Sequence, residues 1–259
     1  MDRTGIGGKV AVVTGAAGGI GAAVVGALAE RGALVAALDR DAAAVEAVAD
    51  GLRQQGHAVH AHRVDVTDAA EVADATARVE AELGPIDLLA NVAGVLQFGT
   101  VRDLTDEDWA RTFAVNTTGV FHLCRAVSRY MVERGRGAIV TVGSNSAGVP
   151  RHGMSAYGAS KVAASLFTKS LGLELAEHGI RCNVVAPGST DTGMLRGMTG
   201  GDPASVIAGS AAEYKAGIPL RKLATPADIA ESVVFLLSDQ AGHITMHDLY
   251  VDGGATLRA

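Results

Sequence analysis

The stretch Thr14-Gly15-Ala16-Ala17-Gly18-Gly19-Ile20-Gly21 decides which fold the sequence predicts. It follows a short β-branched run at residues 10–13 and leads directly into a helical pattern that begins at Ala22. Glycines let the backbone turn sharply, and they let a pyrophosphate approach the N–H groups at the N-terminus of the following helix. The stretch therefore predicts a strand, turn and helix that bind a dinucleotide.

The rest of the chain alternates short apolar runs with longer helical patterns. The strand-like runs cover residues 10–13, 34–38, 58–64, 86–90, 138–142, 181–185 and 249–251. About seven strands separated by helices are typical of a doubly wound parallel sheet with helices on both faces. No low-complexity linker or internal repeat interrupts this pattern. We therefore predict an α/β fold of the Rossmann type, with residues 1–259 forming a single domain.

Two helices and one loop have clear limits in the sequence. Residues 68–83 carry apolar side chains at helical spacing, with Asp68 available as N-cap. Residues 155–178 form a second long helical pattern, and Gly179 ends it. Residues 190–211 are rich in Gly, Ser and Thr and lack periodicity, which predicts a mobile loop over a site.

Charge and cysteine content exclude several functional classes. The chain has 22 Lys and Arg against 28 Asp and Glu, with a net charge of -6 and no block of like charge, so nucleic acid is not an expected partner. Cys124 and Cys182 lie in regular elements, which indicates a reducing, cytoplasmic location without disulfides. Residues 1–9 lack the apolar core of a signal peptide.

One uncharged segment has the length of a membrane span. Residues 10–29 carry no charge, and about 20 apolar residues can cross a bilayer. Five of these residues are glycines, most of them in the turn around Gly18, so a strand, a turn and a buried helix explain the segment better. We expect no membrane partner.

Asp39 ends the second strand-like run, where a dinucleotide-binding fold places an acidic residue. Its carboxylate would accept hydrogen bonds from the adenosine ribose hydroxyls and would repel a 2′-phosphate. This favours NAD over NADP, although the neighbouring Arg40 weakens the preference. The alternative role for Asp39 is the N-cap of the next helix, and the two roles are compatible.

Tyr157 and Lys161 are four residues apart on one predicted helix, so their side chains project from the same face. A phenol has a pKa near 10, and a neighbouring ammonium lowers that pKa by stabilising the phenolate. Ser144 follows a strand at the edge of the sheet where ligands bind, and its hydroxyl can hydrogen-bond a reacting oxygen. The alternative for Tyr157 and Lys161 is that they are surface neighbours without a chemical role.

Ordered motifs along the whole chain resemble those of the short-chain dehydrogenases/reductases. Three motifs match: T-G-x-x-x-G-x-G at Thr14, Gly15, Gly19 and Gly21, N-x-A-G at Asn91-Val92-Ala93-Gly94, and Y-x-x-x-K at Tyr157 and Lys161. Further matching positions are Asp65 with Val66, Asn116, Ser144 and Pro187-Gly188. The resemblance implies an NAD-dependent dehydrogenase whose catalytic residues are Asn116, Ser144, Tyr157 and Lys161.

The same resemblance implies how the cofactor is held. Asp65 and Val66 would contact adenine, Lys161 would hold the nicotinamide ribose, and Thr192 would contact the carboxamide. Asn116 would steady a water chain to Lys161. The full set of implied cofactor-binding residues is Gly15, Gly19, Ile20, Asp39, Asp65, Val66, Asn91, Ala93, Gly94, Tyr157, Lys161, Pro187, Gly188, Thr190 and Thr192.

Longer segments resemble a narrower group, the 2,3-dihydro-2,3-dihydroxybenzoate dehydrogenases of catechol siderophore pathways. These segments are residues 137–144, 149–161, 180–192 and 242–257. The resemblance implies oxidation of a cyclohexadiene carboxylate diol, with Tyr157 as the base and an aromatic product. It also implies a homotetramer in which the C-terminal segment packs between subunits.

Four residues are expected to contact the substrate: Gln97, Ser144, Arg151 and Tyr157. Arg151 is the candidate for binding a carboxylate, and its alternative is a solvated loop arginine. Related chains often have Arg where Gln97 stands, so an amino-substituted acid that gives 3-hydroxyanthranilate is an alternative substrate. The motifs also allow a 3-oxoacyl-carrier-protein reductase or a non-catalytic dinucleotide sensor.

The histidines do not predict a metal site. His57, His60 and His62 lie on and beside one short strand without further ligands at a suitable spacing. His243 and His247 are four residues apart, but outside a helix that spacing does not bring them together. We expect no metal, and we expect these two histidines at a subunit interface or in the core.

Overall fold

A computed structural model describes residues 4–199 and 202–257, and its main feature is a seven-stranded parallel sheet. The strands of the chain are β1 (Val10–Thr14), β2 (Leu34–Asp39), β3 (Val59–Arg63), β4 (Ile86–Asn91), β5 (Gly137–Val142), β6 (Ile180–Pro187), β7 (Gly209–Ser210), β8 (Lys215–Ala216) and β9 (Asp248–Val251). The order in the large sheet is β3-β2-β1-β4-β5-β6-β9. The prediction of a doubly wound parallel sheet is confirmed. From β1 the chain adds β2 and β3 on one side, and it then returns to add β4, β5, β6 and β9 on the other side.

Helices cover both faces of this sheet. They are α1 (Gly19–Glu30), α2 (Ala42–Arg53), α3 (Ala69–Glu82), α4 (Asp106–Phe113), α5 (Gly119–Arg134), α6 (Ser155–Leu175), α7 (Gly193–Thr199), α8 (Pro203–Ala208) and α9 (Pro226–Leu237). On one face, α1, α2 and α9 pack on the sheet through a cluster that includes Leu28 and Val233. On the other face, α3, α5 and α6 pack through a cluster that includes Val79 and Leu123.

The structure confirms both predicted helices and corrects the predicted loop. Asp68 is the N-cap of α3 and accepts hydrogen bonds from the N–H groups of Ala70 and Glu71. The second helix, α6, continues into a short 3₁₀ turn that ends at Gly179, whose φ is +69°. The prediction that residues 190–211 form an irregular loop was wrong, because this segment contains α7 and α8. Both helices have fewer than eight residues, too short to produce a visible period.

The uncharged segment 10–29 contains β1, which is buried throughout, the glycine turn and most of α1, which is buried on one side. No helix in the described ranges combines the length and the low polarity that a membrane span requires.

Close backbone packing holds the glycine turn between β1 and α1. A Cβ atom on Gly15, whose φ is +66°, would lie 2.7 Å from the Cα of Ala93. A Cβ atom on Gly21 would lie 1.9 Å from the carbonyl oxygen of Gly15. The Oγ1 of Thr14 accepts hydrogen bonds from the N–H groups of Val92 and Ala93 at 3.0 and 3.2 Å. The turn is therefore joined directly to the segment that follows β4.

Two glycines of α1 provide a matched test of this packing. Gly21→Ala should lower the free energy of unfolding by about 1–3 kcal/mol or more, because its methyl group would meet backbone that cannot move aside. Gly26→Ala should raise it by about 0.5–1 kcal/mol, because a Cβ there meets only Leu52 Cδ2 at 3.9 Å. Chemical denaturation of both variants measures the difference, and equal effects would contradict the role assigned to backbone packing.

Candidate active site

Two connected cavities lie at the carboxyl ends of the parallel strands. The larger has a volume of about 480 Å³ and is lined by Ser144, Tyr157 and Lys161. The smaller, of about 350 Å³, is lined by Asp39 and Asp65. Gly94 lines both, so the two cavities meet at the segment that follows β4. Open α/β sheets bind ligands at this edge, where the strand order reverses.

Tyr157 and Lys161 occupy consecutive turns at the start of α6 and are both buried, with exposed fractions of 8% and 5%. The Nζ of Lys161 lies 5.8 Å from the centre of the Tyr157 ring. It donates a hydrogen bond to the carbonyl oxygen of Val142, at the end of β5, at 2.9 Å. The structure therefore places the two residues on one wall of the larger cavity, and they are not surface neighbours.

Burial acts on both residues and disfavours their charged forms. Burial raises the pKa of Tyr157, and a hydrogen bond with Ser144 opposes this rise. Burial also lowers the pKa of Lys161 to about 8. Lys161 is not among the groups that shift the pKa of Tyr157, and its ammonium donates to the carbonyl of Val142. In this geometry Ser144 is the group that favours the phenolate.

Ser146 orients the hydroxyl of Ser144. The Oγ of Ser144 accepts hydrogen bonds from the N–H and the hydroxyl of Ser146, at 3.1 and 2.9 Å. Because both lone pairs of Ser144 are engaged, its own proton is left for an acceptor in the cavity. Ser146 is not among the residues predicted from the sequence. The spacing of Ser144 and Ser146 could have indicated this contact, because a serine side chain often accepts a hydrogen bond from the backbone N–H two residues later.

Asn116 connects the segment after β4 to α6. It is fully buried in a π-helical turn, Ala114–Thr118, between α4 and α5. Its Oδ1 accepts from the N–H of Val95 at 2.8 Å, and its Nδ2 donates to the carbonyl of Val95 and to Ser160 Oγ. Ser160 in turn donates to the backbone carbonyl of Tyr157 at 2.7 Å. Asn116 lines neither cavity, so its part in a water chain stays a prediction.

Asp39 holds the glycine turn from the second strand. Its Oδ2 accepts a hydrogen bond from the N–H of Ala17 at 3.1 Å, and its Oδ1 accepts from the N–H of Asp41 at 3.1 Å. The N-cap of α2 is Asp41, which bonds the N–H of Ala44, so Asp39 does not have the alternative role of helix cap. Arg40 lines the same cavity as Asp39.

The glycine turn fits a pyrophosphate. A Cβ on Gly19 would lie 2.9 Å from the Cγ2 of Thr192, and Gly15 and Gly21 have no room for a side chain at all. The absence of side chains leaves the N–H groups at the start of α1 accessible to an anion. The residues present therefore fit a dinucleotide, with Asp39 and Asp65 at one end and Tyr157 at the other.

Most of the predicted cofactor residues line one of the two cavities. Those in the larger cavity are Ile20, Gly94, Tyr157, Lys161, Pro187, Gly188, Thr190 and Thr192. Those in the smaller cavity are Gly15, Asp39, Asp65, Val66, Ala93 and Gly94. Gly19 and Asn91 line neither. The side chain of Asn91 is buried, and its Nδ2 donates towards Cys124 Sγ and Thr141 Oγ1, so it supports the sheet.

Three of the four predicted substrate residues line the larger cavity. They are Ser144, Arg151 and Tyr157. Gln97 is exposed to solvent and does not line the cavity, although its neighbours Leu96 and Phe98 do. The expectation that Gln97 meets the substrate is therefore not supported by its position. Lys215 on β8 also lines this cavity, although no sequence motif predicts it there.

Within residues 4–199 and 202–257, no three His, Cys, Asp or Glu side chains gather in a way that could hold a metal ion. Both cysteines are buried and free.

A comparison with protein families matches residues 9–201 to the model described as short chain dehydrogenase. The chain belongs to the short-chain dehydrogenase family. It is 55% identical to a 2,3-dihydro-2,3-dihydroxybenzoate dehydrogenase of Bacillus subtilis, over 99% of each chain. It is 46% identical to the enzyme of the same name from Escherichia coli, over 97% of this chain and 98% of the relative.

A solved structure supports the same assignment. A 7α-hydroxysteroid dehydrogenase complexed with NADH and 7-oxo glycochenodeoxycholic acid is 32% identical, with a TM-score of 0.90 over 98% of this chain and 96% of that one. This short-chain dehydrogenase is therefore an oxidoreductase that uses a nicotinamide cofactor.

The titration of Tyr157 should depend on Ser144. Burial raises the phenol pKa above 10, so phenolate absorbance should grow only at alkaline pH in the parent. Ser144→Ala removes the hydrogen bond that favours the phenolate and should shift the transition to still higher pH. Ultraviolet difference spectra against Tyr157→Phe, recorded across pH, isolate this tyrosine. Ser128→Ala, a buried serine on α5, is the control, and a Ser144 variant that titrates like this control would contradict the assignment.

The buried ammonium of Lys161 should make stability depend on pH. Its pKa falls from 10.5 to about 8 on folding, so the unfolded chain binds more protons between these values and stability rises with pH across that window. Lys161→Met removes this contribution, and each pKa unit corresponds to about 1.4 kcal/mol. The variant should exceed the parent by up to about 3 kcal/mol below pH 8, and the two should converge above pH 10.5. Urea denaturation at a series of pH values measures this, and parallel curves would contradict it.

Proposed function

We propose that this enzyme oxidises 2,3-dihydro-2,3-dihydroxybenzoate to 2,3-dihydroxybenzoate with NAD, in siderophore biosynthesis. The observation that carries the proposal is the 55% identity to the Bacillus subtilis enzyme of that activity over 99% of both chains. The larger cavity supports it, because Ser144, Tyr157 and Arg151 line one space.

Tyr157 would act as the base. Its phenolate takes the proton of a ring hydroxyl. The single Ser144 proton, which favours the phenolate before this transfer, is then free to donate to the ring oxygen on which charge changes. A bound nicotinamide, next to Tyr157 and Lys161, would supply the acceptor for the hydride on the carbon that carries this hydroxyl. The ring ketone then tautomerises to the aromatic diol, and aromatisation makes the overall oxidation favourable.

The walls of the larger cavity suit a flat ring with one charged group. Leu96, Phe98 and Met154 provide apolar surface, and Arg151 provides a cation. Apolar walls with a few placed polar groups are the usual composition of small-molecule sites. The proposed cyclohexadiene carboxylate has the matching distribution of apolar and charged surface.

NAD is the proposed cofactor because Asp39 lines the smaller cavity and carries a negative charge where a 2′-phosphate would lie. We also propose that residues 1–259 form one domain and that the enzyme is a cytoplasmic homotetramer. The continuous seven-stranded sheet supports the single domain.

Turnover by the purified enzyme tests the substrate. We expect NADH formation from 2,3-dihydro-2,3-dihydroxybenzoate with NAD, with 2,3-dihydroxybenzoate identified by mass spectrometry. The amino analogue that would give 3-hydroxyanthranilate, and a 3-oxoacyl-carrier-protein thioester with NADPH, are the comparison substrates. Faster turnover of either one would replace the proposed function.

Two neighbouring aspartates test the cofactor. Asp39→Asn removes the charge that repels a 2′-phosphate, so the ratio of kcat/KM with NAD to kcat/KM with NADP should fall about tenfold or more. Asp41→Asn is the control, because asparagine is an equally good N-cap for α2 and should leave the ratio unchanged. If both variants behave alike, Asp39 does not select the cofactor.

A further inference from the structure

Besides Lys161, two cations line the larger cavity, and they come from different parts of the chain. Arg151 belongs to the segment between β5 and α6, and the N–H of Met154 donates to its carbonyl at 3.2 Å. Lys215 belongs to the small antiparallel pair formed by β7 and β8. Both side chains are half-buried, and both line the cavity that contains Tyr157 and Ser144.

Neither cation has an ion-pair partner in the part of the chain that the structure describes. Asp252 lies close enough to Arg151 to act on it electrostatically, but its oxygens accept hydrogen bonds from Asn145 Nδ2 and from the N–H groups of Gly254 and Thr256. Glu213, a carboxylate that also lines the cavity, acts on Lys215 in the same way, but it is exposed and lies 4.0 Å from the Nδ1 of His152. The cavity therefore contains more positive than negative charge available for a ligand.

Lys215 follows a residue with an uncommon backbone conformation. Tyr214, the preceding residue, has a left-handed φ of 51°, and its side chain is 97% exposed. β7 and β8 pair Ser210 with Lys215, and the N–H of Ile218 donates to the carbonyl of Ile207 at 2.9 Å. A non-glycine residue at positive φ is uncommon, and such strain is often found at binding sites. At this site Tyr214 is exposed to solvent, whereas the next residue, Lys215, lines the cavity.

The two cations also disfavour each other. Burial lowers the pKa of both side chains, and the charge of Arg151 further lowers the pKa of Lys215. An anion between them would remove this repulsion and would satisfy donors that are partly shielded from water. A carboxylate, with two oxygens, can accept from a guanidinium and an ammonium at the same time.

We propose that Arg151 and Lys215 together form the subsite for the ring carboxylate, with Lys215 as a specificity-determining residue. The inference rests on the proposed function, which supplies the carboxylate. The bound carboxylate would join the segment before α6 to the β7–β8 pair. Ligands that lack this group would lose the contact from both sides.

Binding of the aromatic product tests the subsite without requiring turnover. Isothermal titration calorimetry in the presence of NAD would compare 2,3-dihydroxybenzoate with catechol, which has the same ring and hydroxyls but no carboxylate. In Lys215→Met, we expect the Kd for the acid to rise about tenfold or more, because a charge-assisted hydrogen bond is lost. The Kd for catechol should change less than about twofold. Lys222→Met, at an exposed lysine that lies outside the cavity, is the matched control.

A double-mutant cycle tests whether the two cations share one anion. If they do, Arg151→Met combined with Lys215→Met should weaken acid binding by less than the product of the two single effects. Equal losses for the acid and catechol in Lys215→Met, or no loss for either, would overturn the proposal. Weaker NAD binding in this variant would also overturn it, because Lys215 would then serve the cofactor.

The failures of the two proposals can be told apart. If the parent binds 2,3-dihydroxybenzoate through Lys215 but does not oxidise the dihydrodiol, the anion subsite stands and the proposed reaction fails. If the parent oxidises the dihydrodiol and Lys215→Met leaves the KM and the Kd unchanged, the reaction stands and the subsite fails.

Discussion

Close backbone contact between the first glycine turn and the segment after β4 is the constraint on which the site depends. Gly15 approaches Ala93 so closely that a Cβ would overlap it, and Thr14 accepts hydrogen bonds from the N–H groups of Val92 and Ala93. Only glycine can occupy such a position, because any side chain would separate the two segments. The same turn leaves the start of α1 open to a phosphate, so one packing requirement serves both the sheet and the cofactor.

This contact is continued towards the catalytic residues. A Cβ on Gly94 would lie 3.3 Å from Lys161 Nζ and 3.4 Å from Asn116 Oδ1, so that glycine permits both side chains to approach. Asn116 then holds Val95 and Ser160, and Ser160 holds the backbone of Tyr157. Tyr157 is thus positioned by a continuous chain of contacts that begins at the glycine turn. The π-helical turn at Ala114–Thr118 places Asn116 in this chain, and such turns are frequent at functional sites.

Burial of Tyr157 and Lys161 changes the pKa values of both side chains and strengthens the hydrogen bonds around them. The ammonium of Lys161 donates to the carbonyl of Val142, and its pKa falls to about 8 because burial disfavours the charged form. The phenol of Tyr157 is also buried, so the hydrogen bond from Ser144 becomes the main local influence that favours the phenolate. Ser146 fixes the direction of that hydrogen bond. Groups that interact weakly in water interact more strongly here, because the local dielectric is low.

The sequence by itself determined the seven strands of the large sheet, the glycine turn, the N-cap Asp68 and the four-residue spacing that places Tyr157 and Lys161 on one helix face. These features depend on local rules, namely side-chain periodicity, backbone freedom and capping, which act over a few residues. Only the tertiary structure decided that Gln97 faces solvent, that Ser146 orients Ser144 and that Lys215 shares a cavity with Arg151. Arg151 and Lys215 are far apart in the chain, and they line one cavity only because the β7–β8 pair packs near the start of α6. No local sequence pattern specifies that these two residues share a cavity, because their proximity results from how distant segments pack around the ends of the strands.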